Sequence, residues 1–147
     1  MKFDEIDMSI LQELQKDSRL SYRELSKHIN LSPPSVTERV RKLESEGIIQ
    51  EYTININKKG LGFGTECIVQ VTMRDGQYDR FIAFIQDYKY CEWCYRIAGA
   101  ACFIVKLTVA SLDEVEKFIN NISSYALTNT SIVFSEVKIH SEIEVVK

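Results

Sequence analysis

An α+β fold in two parts is what this 147-residue sequence predicts. Three observations carry that expectation. Up to about residue 46, apolar residues recur at helical spacing behind capping residues. The period then switches to strict alternation. From residue 65 onward, alternating and helical stretches follow one another in the order βαββαβ.

The first helix is expected to start at Asp4 as N-cap. Glu5 and Asp7 put negative charge in its first turn, and Phe3 and Met8 stand at the two positions of a hydrophobic staple. Ile6, Ile10, Leu11 and Leu14 form its buried face, and the pattern fades between Lys16 and Arg19. A second helix opens at Ser21, where SYRE is a capping box with Glu24 reaching back to the Ser21 N–H. Leu25 and Ile29 are its core side, and Asn30 suits the left-handed residue that ends it.

Only Asn30 and Leu31 separate that helix from the next, LSPPSVTERVRKL, capped by Ser32 with Pro33 in its first turn. Val36, Val40 and Leu43 lie at i, i+4 and i+7, one apolar stripe, and Gly47 stops the helix. The other side carries Ser35, Thr37, Glu38, Arg41 and Lys42, with Arg39 on its border. Two helices joined this tightly, the second with a basic outer face, make a helix-turn-helix of winged-helix-like type.

Ile48 to Asn57 alternates as a strand leading out of this region, and KKGLGFG (58–64) holds three of the six glycines and reads as a boundary. The expected division is therefore 1–50, a connecting strand and linker over 51–64, and 65–147. In the last part Thr65–Arg74 is a strand, Asp75 and Gly76 a turn, and Phe81, Phe84, Ile85 and Tyr88 a helical stripe. Cys91–Ala98 and Ala101–Val109 form a hairpin around Gly99 and Ala100. Ser111 and Glu114 suggest a capping box ahead of Leu112, Val115, Phe118, Ile119 and Ile122, and Thr130–His140 is a last strand. This is the ferredoxin-like order, a four-stranded antiparallel sheet with both helices on one face. The uncovered face is expected to carry Ile68, Trp93, Tyr95, Ile132 and Phe134, so association with another copy is expected.

The composition, 45% hydrophobic and 27% charged, is that of a folded domain. Net charge is -3, which excludes a protein coated in positive charge. A local basic patch remains: Arg19, Arg23, Lys27, Arg39, Arg41 and Lys42 against Glu24 and Glu38. No apolar run is long enough for a membrane span, so a cytoplasmic location without membrane contact is expected, with Cys67, Cys91, Cys94 and Cys102 as thiols. Cys91 and Cys94 have CxxC spacing, but an offset of three in a strand is expected to send them to opposite faces. No metal site, cofactor or catalytic set is expected. His28 and His140 share no ligand spacing with the cysteines, and no nucleophile has a paired base.

The run from Asp4 to Tyr52, together with RIAGAACFIVKL and TSIVFSEVK, resembles the leucine-responsive and asparagine regulator family, Lrp/AsnC, over essentially the whole chain. The resemblance implies a transcription regulator that binds double-stranded DNA and assembles into dimers and commonly octamers through its second domain. It also implies an effector pocket, often for amino acids, between dimers near the turn joining the second and third strands. Here that turn is Ile97 to Phe103, and Thr128, Thr130 and Ser131 match family positions beside it. Many amino-acid-responsive members have an acidic residue where this chain has Cys102, so an effector's ammonium group loses its carboxylate here.

DNA contact is expected from Ser32, Ser35, Thr37, Glu38, Arg41 and Lys42, with Arg23 at the backbone and Arg39 in a structural ion pair with a first-helix acid. Effector or oligomer contact is expected from Ile97, Gly99, Ala100, Ala101, Cys102, Thr130 and Ser131. Two other readings compete with a sequence-preferring regulator: an architectural nucleoid-type DNA-binding protein, and an enzyme like the tetrapyrrole decarboxylases that share this architecture. The second would need histidines and arginines around a large pocket.

Overall fold

The computed structural model describes residues 3–144, which divide into two compact units. The first extends to Asn55 and takes in the chain again from Lys138, and the second is Ile56–Val137.

In the first unit α1 (Glu5–Lys16), α2 (Tyr22–Ile29) and α3 (Pro33–Ser45) enclose Ile10, Leu11, Leu25, Val36, Val40 and Leu43. Each of these side chains contributes roughly 1.5 to 3 kcal/mol by leaving water. Local chemistry sets the helix ends. Asp4 and Asp7 cap α1 reciprocally, and Ser21 and Glu24 do the same for α2. Asn30 ends α2 in the left-handed region with φ 55° and ψ 45°. Gly47, at φ 70°, closes α3. Its N–H donates to the Glu44 carbonyl, and the Ile48 N–H reaches the Leu43 carbonyl at 2.9 Å.

The predicted strand Ile48–Asn57 does not form among the described residues. A strand needs a neighbour for its N–H and C=O groups, and none of the described segments pairs with it. Ile49 packs on the helical core, Tyr52 donates its hydroxyl to Glu44 at 2.8 Å, and Ile54 and Ile56 stay exposed. The late segment from Lys138 returns to this unit and sets Ile143 against the same core.

In the second unit a 3-10 turn (Lys58–Leu61) precedes β1 (Thr65–Met73), α4 (Tyr78–Gln86), β2 (Cys91–Arg96), β3 (Phe103–Val109), α5 (Leu112–Ile122) and β4 (Ala126–Ile132). The sheet order is β2-β3-β1-β4, antiparallel throughout. Cys67, Val69, Val71, Phe103, Val105 and Leu107 line one face and meet Phe81 and Ile85 of α4 and Val115, Phe118 and Ile122 of α5. Both helices thus cover one face.

Several sequence expectations need correction here. β4 ends at Ile132 rather than His140, because its partner β1 begins at Thr65 and Val133 makes the last bond, to the Glu66 carbonyl. Ile132 pairs with Cys67 and so lies on the helix-covered side, and Phe134 is beyond the sheet. Ser111 caps α5 without a side-chain hydrogen bond, since Glu114 turns to Lys117 at 2.8 Å instead, and Leu112 is exposed. A β-bulge at Glu92 shifts the register so that Cys91 pairs with Leu107 and Cys94 with Val105. The two cysteines therefore share the helix-covered face, contrary to the alternation argument. Burial pushes the Cys91 thiol up to about 11 and raises Cys94 as well, which suits inert apolar packing. Among the described residues no group of side chains could hold a metal ion.

Candidate nucleic-acid interface

The outer side of α3 is built from its N-terminus. The Ser32 hydroxyl accepts from the Ser35 N–H at 3.4 Å and shares a hydrogen bond with the Ser35 hydroxyl at 2.8 Å. Thr37 donates its hydroxyl to the Pro33 carbonyl at 2.9 Å. The three hydroxyls of this face thus already have partners within the helix. Glu38 and Arg41 are exposed and Lys42 is half-buried, and none of the three enters an ion pair among the described residues. Pro33, Pro34, Thr37, Glu38 and Arg41 together line a shallow dish of about 510 Å³.

Arg39, two residues from Arg41, has the opposite environment. One guanidinium nitrogen of Arg39 donates to both carboxylate oxygens of Asp4, at 2.8 and 2.9 Å, and to Asp7 at 2.8 Å. Asp7 is buried at 1% exposure, so this pair ties α3 to α1 inside the unit, as expected of Arg39. The hydrogen bonds that Arg39 donates to Asp7 and Asp4 raise its pKa above the ordinary value. On the neighbouring surface Glu13 takes His28 at 2.7 Å and Lys16 at 3.0 Å, and these bonds, His28 first, hold its carboxyl below the usual range. Arg19, Arg23, Lys27, Arg41 and Lys42 are the cations of the patch left without a carboxylate among the described residues. The structure therefore sorts the basic residues into fastened and free ones.

The second predicted region, the turn between β2 and β3, is held by the Ile97 N–H on the Cys102 carbonyl and the Cys102 N–H on the Val71 carbonyl, both 2.9 Å. Ala101 is buried, at 7% exposure. The Cys102 thiol lies 3.5 Å from the Tyr78 hydroxyl, and the Arg96 guanidinium sits 4.7 Å over the Tyr78 ring. Backbone and Tyr78 hydrogen bonds lower the Cys102 thiol pKa. Thr130 and Ser131 do not both join this turn. They pair with Val69 and Ile68, so their side chains point to opposite faces of the sheet, and the Thr130 hydroxyl is buried without a partner. Val71 faces both Phe103 and Thr128, which makes Thr128 the β4 hydroxyl residue nearest the turn. Tyr78 and Arg96 were missed. Tyr78 lies ahead of the apolar stripe that marks α4, and Arg96 reads as an ordinary strand charge.

Comparison with known proteins matches residues 3–50 to a family described as winged helix-turn-helix DNA-binding and residues 66–143 to the Lrp/AsnC ligand binding domain. The chain is 55% identical over 137 residues to the HTH-type transcriptional regulator LrpC of Bacillus subtilis, covering 93% of this chain and 95% of that protein. The solved structure of B. subtilis LrpC superimposes with a TM-score of 0.92, covering 95% of this chain and 100% of that one. A feast or famine regulatory protein from M. tuberculosis, solved in complex with L-methionine, is 29% identical with a TM-score of 0.87, covering 97% of this chain and 99% of that one.

Proposed function

The chain belongs to the Lrp/AsnC family of DNA-binding transcription regulators, and from that premise we propose that the free side of α3 reads the major groove. Glu38, Arg41 and Lys42 reach the DNA, Ser35 and Thr37 line the contact, and Ser32 and Arg23 meet the phosphate backbone. The single observation that supports this assignment is the sorting of cations: Arg39 is spent on Asp4 and Asp7, whereas Arg41, Lys42 and Arg23 keep their charge for a partner. Two copies would place two α3 helices about 34 Å, or a multiple of it, apart along the duplex.

Assembly is proposed through the sheet face the helices leave bare. Trp93 pairs across from Lys106 and Tyr95 from Ile104, so both rings lie on that face, 5.2 Å apart between centroids and tilted by 36°, with Ile68 on the same side. A dimer formed there, and octamers built from four such dimers, would carry several DNA-binding units in the cytoplasm. Among the described residues no helix is long and apolar enough to cross a membrane. An amino-acid effector at the turn would meet the Cys102 thiol where its ammonium needs a carboxylate. Free amino acids are therefore expected to leave the melting temperature nearly unchanged. A saturable rise with one of them would overturn that expectation, because a bound ligand stabilises by RT ln(1 + [L]/Kd).

The test of the DNA assignment is Arg41→Ala and Lys42→Ala in gel shifts at several salt concentrations. Each lost phosphate contact should flatten the slope of log affinity against log salt by about 0.9 while oligomer size stays the same. Unchanged affinity at every salt would sink the α3 reading.

A further inference from the structure

We propose that Glu38 is a specificity reader, accepting a hydrogen bond from the N4 amino group of a cytosine in each half-site. The inference rests on α3 lying in the major groove. Glu38 is an exposed carboxylate with no ion-pair partner among the described residues, although Arg41 and Lys42 follow it at i+3 and i+4, where helix neighbours meet. It does not pack in the core, does not cap a helix and does not fasten two elements, as Asp4, Asp7, Glu13 and Glu24 do. On a surface that meets a lattice of phosphates, an unpaired carboxylate repels every sequence equally unless some base edge rewards it.

Only hydrogen-bond donors can do that. A carboxylate is acceptor-only, and in the major groove the donors are the cytosine N4 and adenine N6 amino groups. Adenine presents its N7 acceptor beside N6, which a carboxylate opposes. Cytosine presents no acceptor there and is the better match. Guanine offers only acceptors in that groove and is the worst. The surroundings agree with a pyrimidine. Pro33, Pro34 and Thr37 share the dish with Glu38, and the Thr37 hydroxyl is engaged on the Pro33 carbonyl at 2.9 Å. Such an apolar wall accommodates the flat C5 edge of a pyrimidine. Glu38 thus trades non-specific affinity for discrimination at one position.

Selection of bound duplexes from a randomised pool by the full chain, at one fixed salt concentration, tests this with Glu38→Ala and Glu38→Gln beside the wild type. The wild type should demand cytosine at one position of each half-site, on the order of tenfold or more over the other bases. Glu38→Ala should lose that demand while binding unrelated duplex more tightly. Glu38→Gln should turn the preference to adenine, which Gln meets at N6 and N7. Cytosine preference that persists in either variant, or a wild type without such a position, overturns the proposal. Thermal melts of both variants should match the wild type, since the side chain touches no core. If Glu38 variants keep the wild-type preference while Arg41→Ala still weakens binding, only this inference fails. If Arg41→Ala and Lys42→Ala also bind normally, the α3 reading itself fails.

Discussion

The two units finish their surfaces in opposite ways. The helical unit closes with charge, because Asp7 of α1 is buried against Arg39 of α3, and the remaining cations of the patch have no carboxylate partner among the described residues. The sheet unit closes with apolar packing on one face only and leaves Trp93 and Tyr95 in contact on the other, next to a chain of Lys58, Glu92, Lys106 and Glu66. Burial opposes ionisation of Glu92, yet the two lysines hold its carboxyl below the usual range. The difference teaches what each surface is suited to meet. Unpaired cations suit a polyanion, and a bare aromatic face rimmed by both signs of charge suits a second protein surface.

The comparison breaks most readily in the sheet unit. Phe118 is fully buried and touches Phe84 and Tyr88 at ring separations of 5.8 and 5.2 Å, so Phe118→Ala should cost about 4 kcal/mol in denaturant melts. Trp93→Asp, on the bare face, should instead shift sedimentation toward a smaller species and remove the dependence of stability on protein concentration that the assembled wild type shows. Should Trp93→Asp destabilise as strongly as Phe118→Ala at every concentration, that face is core and the contrast is lost. In the helical unit Arg39→Ala strands the buried Asp7 carboxylate and should cost about 3 kcal/mol, less than an isolated interior pair would because Arg39 is partly exposed. Arg41→Ala, two residues away, should change stability by no more than about 0.5 kcal/mol. Equal losses in the two variants would show that Arg41 also has a structural partner.

What could be read from the sequence was what depends on near neighbours. Capping is decided within four residues, so Asp4, Ser21, Ser32, Asn30 and Gly47 were legible, as was the stripe of Val36, Val40 and Leu43. The Arg39 pair was legible too, because α3's stripe leaves that residue at the seam. Pairing decides the rest, and pairing is remote. The bulge at Glu92 exists only in the register between β2 and β3, so nothing in CEWC announces that its two cysteines share a face. Alternation in Ile48–Asn57 describes a chain able to be a strand, but the neighbour must come from elsewhere. Which of the effector-side residues share a face is decided by pairing as well. Thr130 and Ser131 are adjacent in sequence and on opposite faces of the sheet, while Tyr78 reaches Cys102 from across 24 positions.

The finest test of the contrast is acid. Asp4's carboxyl is held below its ordinary 3.8, first by the Asp7 backbone N–H and then by the Arg39 guanidinium. A carboxyl whose folded pKa is depressed binds its proton more weakly folded than unfolded. Its contribution is therefore complete above the unfolded value and is lost as pH falls through the folded one. Glu13, lowered by His28 and Lys16, acts with the same sign. The melting temperature of the helical unit should fall from roughly pH 4 downward. Arg39→Ala removes the guanidinium's share of the Asp4 shift and should make that fall shallower, whereas Arg41→Ala should retain the wild-type slope. Parallel slopes in all three proteins would mean that the pair fastening α3 to α1 carries no proton linkage. The distinction between fastened and free arginines would then rest on geometry alone.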